Sequence, residues 1–180
     1  PLSSGGPYFG FLCCRKALVR QMPGRVAGAT ADGSDRVGYV LTLQAREQHI
    51  RRSRATSNIC TNQGLMTVMA TIHMALLGPE GMRQTALVCH QNSQKLLAKL
   101  VQLPGVETVF SAPCFHEIVV RLPKDAKQVV EEMAGQGIGA GVALGRYYPD
   151  MDNCLMVCTT ETRTESDLDH YVSVLKEVLS

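Results

Sequence analysis

The chain has 180 residues, 45% hydrophobic and 19% charged, a balance ordinary for a globular protein that excludes a disordered or fibrous one. No apolar run reaches the roughly 18 residues of a membrane span; the longest, residues 65–77, is broken by Thr67, Thr71 and His73. The net charge of +2 is uneven: residues 1–60 carry nine Lys/Arg against three Asp/Glu and residues 61–180 nine against thirteen, which points to a local anionic partner or ligand and away from a general nucleic-acid surface.

In chain order, Gly5-Gly6-Pro7 predicts a turn leading into a short apolar strand, Tyr8 to Leu12 and on through Cys13 and Cys14. Lys16 to Arg20 can form a turn of helix. Met22-Pro23-Gly24-Arg25 and Asp32-Gly33 supply loop chemistry beside Arg36 to Leu43, whose alternation predicts one strand of a two-stranded ribbon. Residues 44–63 are polar, strongly basic and poor in large apolar side chains, so they cannot be a core element.

From about Thr61 the apolar spacing becomes helical and stops at Gly78-Pro79, where a second helix starts at once. Its stripe of Met82, Ala86, Cys89, Ser93, Leu96, Leu100 and Leu103 runs to Pro104-Gly105. Two strands follow, Val106 to Phe110 and Glu117 to Leu122, then a helix capped by Asp125 and reaching Gly135. A Gly-rich loop over residues 137–145, a strand at Cys154 to Cys158 and a helix opened by a Thr164 capping box complete the chain. This order predicts a small α+β domain with helices on one face of an antiparallel sheet.

Seven cysteines without CxxC spacing read as reduced core residues of a cytosolic chain, and no His/Cys pair completes a zinc pattern, so no metal site is expected. No secretory signal is present. The Pro1 start without an initiator Met gives the expectation of a piece cut from a longer protein. Gly137, Gly139 and Gly141 do not meet GxGxxG, and a loop with unusual torsions is the better reading. His73 and His90 read as packed side chains. His49 lies among Arg46, Arg51, Arg52 and Arg54, which favours a neutral, hydrogen-bonding imidazole. These arginines, with Thr56, Ser57 and Asn58, form either a solvated charged face or a site for carboxylate or phosphate. No Ser/His/Asp order, paired-carboxylate spacing or phosphate loop is evident.

Taken together, Gly5-Gly-Pro-Tyr8, Met22-Pro-Gly-Arg25, the run from Leu43 to Arg52, the run from Ala55 to Thr61, Gly78-Pro-Glu-Gly81 and Leu144-Gly-Arg-Tyr-Tyr-Pro149 resemble the glycine-cleavage-system P-protein family. The likeness is to its first, non-lysine half, in many bacteria a separate subunit 1 of glycine dehydrogenase (decarboxylating). Ser53 and Arg54 depart from it, standing where the family usually has an acid followed by Lys.

The resemblance implies a fold-type I PLP-dependent transferase, an α/β fold, with residues 1–62 as the end of the large domain plus an interface segment and residues 63–180 as the C-terminal α+β small domain. It implies a cytoplasmic enzyme that decarboxylates glycine and passes the aminomethyl group to the lipoylated H-protein. PLP is expected on a partner, glycine dehydrogenase subunit 2, in a hetero-oligomer. None of Lys16, Lys95, Lys99, Lys124, Lys127 and Lys176 sits in a motif like the Schiff-base lysine, so no catalytic residue is expected in this chain, and no cofactor. Arg46, His49, Arg51, Arg52, Thr56, Ser57 and Asn58 are the candidates for a shared cleft or lipoyl-arm tunnel. The alternatives are a non-catalytic assembly module and the small domain of another fold-type I enzyme such as an aminotransferase.

Overall fold

The structure is a computed structural model that describes residues 9–10, 12–24, 26–44, 47–56 and 63–180. The chain divides into two compact units, residues 1–76 and 77–180. In the first, a 3₁₀ turn at Lys16–Gln21 precedes β1 (Val26–Ala31) and β2 (Val37–Thr42), an antiparallel ribbon registered from Val26 opposite Thr42 to Ala31 opposite Val37. Asp32 makes its turn: the carboxylate accepts from the Ser34 and Arg36 amides at 2.8 and 3.0 Å, a side chain standing in for a backbone turn. Leu43 at φ 55° ends the second strand.

The expected strand through Cys14 is not formed in the described part. Leu12, Cys13 and Cys14 lie outside any sheet and are exposed, with no strand among the described residues to pair with them; Tyr8 and Phe11 lie outside the described residues. Then come α1 (Gln48–Arg51), a 3₁₀ turn at Arg52–Arg54, and the first part of α2 (Gly64–Leu100).

Helix α2 is broken where the sequence predicts. Gly78 takes φ 64° and ψ 177°. The left-handed φ suits glycine, and the extended ψ is what a following Pro79 imposes. In the second unit the stripe of this helix is buried from Cys89 onward through Ser93, Leu96 and Leu100, while Met82 and Ala86 stay exposed.

The sheet of this unit has the order β3 (Glu107–Thr108), β4 (Glu117–Arg121), β6 (Cys154–Cys158), β5 (Val142–Ala143), antiparallel throughout. On one face Ile118 opposes Val157 and Val120 opposes Leu155, and all four are buried. Against them pack α3 (Ala126–Gly135), through Ala126, Val129 and Met133, and α4 (Glu165–Leu179), through Leu168, Val174, Leu175 and Val178. Asp125 caps α3 by accepting from the Gln128 amide at 3.0 Å. The Thr164–Asp167 capping box of α4 forms as expected. Two strands differ from expectation: β3 is two residues long with Phe110 exposed, and the Gly-rich segment contains β5.

Cys89 and Cys154 are core residues, but Cys13, Cys14 and Cys158 are exposed; Cys60 lies outside the described residues. His90 is packed, with Nδ1 2.9 Å from the Phe115 carbonyl, whereas His73 faces solvent because its helical segment has no covering element among the described residues. Among the described residues no helix is long and apolar enough to cross a membrane.

Candidate functional site

The basic segment of the first unit is pinned at one residue. Glu47 is 7% exposed, its amide donates to the Gln44 carbonyl at 2.9 Å, and its own carbonyl accepts from Ile50 and Arg51 at 3.1 and 2.9 Å. The first turn of α1 is thereby closed against the ribbon's end. From that anchor His49, Ile50, Arg51, Arg52 and Arg54 all face solvent, as does Thr56. Arg46, Ser57 and Asn58 lie outside the described residues.

Arg52 adopts φ 54° and ψ −122°, a conformation that a residue with a side chain takes at a cost of about 1–3 kcal/mol. It opens the 3₁₀ turn that follows α1 and so sets where the Arg54 guanidinium emerges. A small hollow of about 130 Å³ is lined by Val26, Leu41, Thr42, Gln44, Glu47 and His49. A water occupies about 30 Å³ of liquid volume, so this space suits a few waters or one small polar group. It brings His49 to Glu47; Arg51, Arg52 and Thr56 do not line it.

The second unit holds a larger hollow, about 580 Å³, within the usual range of a ligand cleft. Its wall is the Gly-rich loop 136–141, faced by Thr159, Arg163, His170 and Tyr171. The loop carries the torsions expected of it, φ 79° at Gly137 and 137° at Gly141. Tyr171 donates its hydroxyl to the Ala140 carbonyl at 2.7 Å, and burial pushes its phenol well above the ordinary value. It is a neutral strut tying loop to helix. Sequence reasoning passed over Arg163 and His170, which sit in polar surroundings without a motif; the glycines were the only signal.

The six lysines are exposed or hydrogen-bonded. An imine-forming amine works from a desolvated pocket, yet Lys16, Lys127 and Lys176 are exposed. Lys127 borders an open hollow of about 680 Å³, with Asp125, Arg146, Tyr147 and Asp152 also on its wall. Lys99 pairs with Asp169 and with Glu165 (2.6 Å), Lys95 with Glu165 (3.1 Å), and Lys124 donates to the Val178 carbonyl at 2.5 Å. Hydrogen bonds that Lys99 donates to Asp169 first and Glu165 second raise its pKa, so this amine stays protonated rather than nucleophilic.

A family model described as the glycine cleavage system P-protein matches residues 1–175. The chain is 59% identical over 180 residues to the probable glycine dehydrogenase (decarboxylating) subunit 1 of Thioalkalivibrio sulfidiphilus, covering 100% of this chain and 40% of that relative. The chain thus spans well under half the length of the curated relatives it matches. Among solved structures, the glycine decarboxylase (P-protein) of the glycine cleavage system in inhibitor-bound form superposes with a TM-score of 0.90 at 44% identity, covering 99% of this chain and 40% of that one. A C-DES variant with glycine covalently linked to its PLP cofactor gives a TM-score of 0.53 at 17% identity, over 82% of this chain and 35% of that one, which shows a shared fold alone.

Proposed function

The chain belongs to the glycine cleavage system P-protein family, and from that premise we propose that it forms part of subunit 1 of glycine dehydrogenase (decarboxylating). The observation that carries this reading is the 59% identity sustained over all 180 residues. In the complete enzyme glycine loses CO2 and its aminomethyl group passes to the lipoylated H-protein. PLP, which supplies the electron sink for that chemistry when bound, is assigned with its lysine to a partner, subunit 2, in a cytoplasmic hetero-oligomer. The lysines of this chain support that division, being exposed or already paired. Residues 1–62 are assigned to the end of the large domain with an interface segment, and residues 63–180 to the C-terminal small domain.

Within this reading, His49, Arg51, Arg52 and Thr56, together with Arg46, Ser57 and Asn58, bind and orient anionic groups at the boundary between subunits. A guanidinium fork holds a carboxylate through two parallel hydrogen bonds, fixing orientation as well as adding attraction. Glu47 anchors the segment and the turn at Arg52 aims it. Full-length subunit 1 reconstituted with subunit 2, PLP and H-protein tests this through glycine-dependent bicarbonate exchange. Arg51→Ala and His49→Ala are each expected to lower exchange at least about tenfold, the equivalent of 1.4 kcal/mol, with the complex still formed. Undiminished exchange in both intact complexes overturns active-site participation.

A second reading, an assembly role for the same unit, is favoured by the exposed apolar side chains Leu65, Met69, Ile72 and Leu76 on α2. It is distinguished by the same variants losing the complex itself.

A further inference from the structure

At the start of β4 the chain gathers three side chains that the reading above does not use. Glu117 opposes Cys158 directly in the register of β4 with β6, and side chains so opposed share one sheet face with Cβ atoms about 4.5–5.5 Å apart. His116 precedes Glu117, and donor atoms of His116, Glu117 and Cys158 all lie within 4.8 Å of one another. The backbone beneath them is fixed on both sides. The Thr159 amide donates to the His116 carbonyl at 3.1 Å, and Ser93 Oγ donates to the Phe115 carbonyl at 2.9 Å. The Phe115 ring meets the imidazole edge-on at 4.5 Å. His116 Nδ1 is buried without a hydrogen-bond partner, a state that leaves the desolvation of a polar atom uncompensated.

Imidazole nitrogen, thiolate sulfur and carboxylate oxygen form a donor set suited to zinc, with bonds of about 2.0–2.1, 2.3 and 2.0–2.2 Å. Donors at those lengths around a tetrahedral ion stand about 3.3–3.7 Å apart, so side-chain rotations of roughly 1 Å close the present spacing. Magnesium and calcium take oxygen ligands and do not match a set containing sulfur and nitrogen. We propose that His116, Glu117 and Cys158 form a three-ligand site for a borderline-soft divalent cation, zinc in particular, with its fourth position open to water or an external donor. On binding, the Cys158 S–H bond breaks, the sulfur lone pair goes to the metal and the proton to solvent; nothing is oxidised or reduced. His116 and Glu117 are neighbours in sequence, but Cys158 lies some forty positions on and joins them only across a strand pair, so no spacing motif announces the set.

The chain, freed of metal by a chelator and dialysed, is titrated with cobalt(II) as a spectroscopic stand-in and with zinc against a fluorescent chelator. The expected result is one equivalent bound, with visible bands of tetrahedral cobalt and a near-ultraviolet sulfur-to-cobalt band. Cys158→Ser abolishes the sulfur band, while His116→Ala and Glu117→Gln each weaken zinc binding at least tenfold; Cys13→Ser/Cys14→Ser changes neither. Absence of the sulfur band, or its survival in Cys158→Ser, overturns the proposal. Should a variant fail to fold, the unaltered chain decides: zinc must slow iodoacetamide alkylation of Cys158 selectively, read by mass spectrometry, and equal slowing at Cys13 or Cys14 overturns the site.

Discussion

Asn92 is a buried amide whose Nδ2 donates to two carbonyls, Thr160 at 3.0 Å and Arg163 at 2.9 Å. It thereby fixes the segment leading into α4, including the arginine on the wall of the hollow beside the Gly-rich loop. Asn92→Ala leaves both acceptors unsatisfied, and a loss of about 2 kcal/mol is expected in urea unfolding followed by circular dichroism. Asp167 gives a pH-dependent counterpart. The Thr164 amide first, and its hydroxyl second, hold this carboxyl below the usual value of 3.8. A native pKa lower than the unfolded one means that the cap's contribution is fully present above the unfolded value and is lost as pH falls through the native one. Asp167→Asn is therefore expected to flatten the acid limb of the stability profile below about pH 4, measured as melting temperature against pH. The two residues differ in legibility. Thr164 and Asp167 act within one helical turn and were readable, as was Asp125; Asn92 depends on carbonyls some seventy positions away, and nothing local marks it. The candidate site divides the same way, for the basic run is visible as a run while Arg163, His170 and the His116 cluster exist only after folding.

Helices and their stops follow from local rules, which is why the break at Gly78 and the span of α3 come out as expected. Strands are set by pairing. The residues through Cys14 have strand-like composition but no partner, and Val142–Ala143 becomes a strand only because β6 lies beside it. That last contact is unusually close: a Cβ at Gly141 would sit 2.2 Å from the Met156 carbonyl oxygen, with φ already at 137°. Gly141→Ala must push the loop from β6, and a cost of at least about 2 kcal/mol is expected in thermal or urea unfolding. Gly78→Ala is the contrast. A Cβ there meets nothing within 4 Å, so only the torsion at φ 64° and ψ 177°, a region essentially reserved for glycine, is penalised, by about 1–3 kcal/mol. A larger loss for Gly78→Ala than for Gly141→Ala would contradict this separation of packing from torsion.

Leu65, Val68, Met69, Ile72 and Leu76 recur every three or four residues along α2, and all are more than half exposed. Such spacing puts them on one stripe, the pattern of a helix with a partner to bury it against. The ribbon repeats the theme, with Val37 72% and Tyr39 77% exposed. Contiguous apolar surface of this kind marks an interface or drives association. The chain also spans only 40% of the relative it matches at 59% identity, and under the proposed function the remainder of subunit 1 and its partner are what this surface packs against. Replacing Leu65, Ile72 and Leu76 together by Gln should therefore act in two opposite ways. In the 180-residue chain it reduces self-association in sedimentation velocity without loss of helix. In full-length subunit 1 it weakens assembly, because the same stripe then lacks the surface it is shaped to bury. If the triple variant self-associates as the unaltered chain does, the stripe is not the adhesive surface, and the exposed ribbon becomes the segment to alter next.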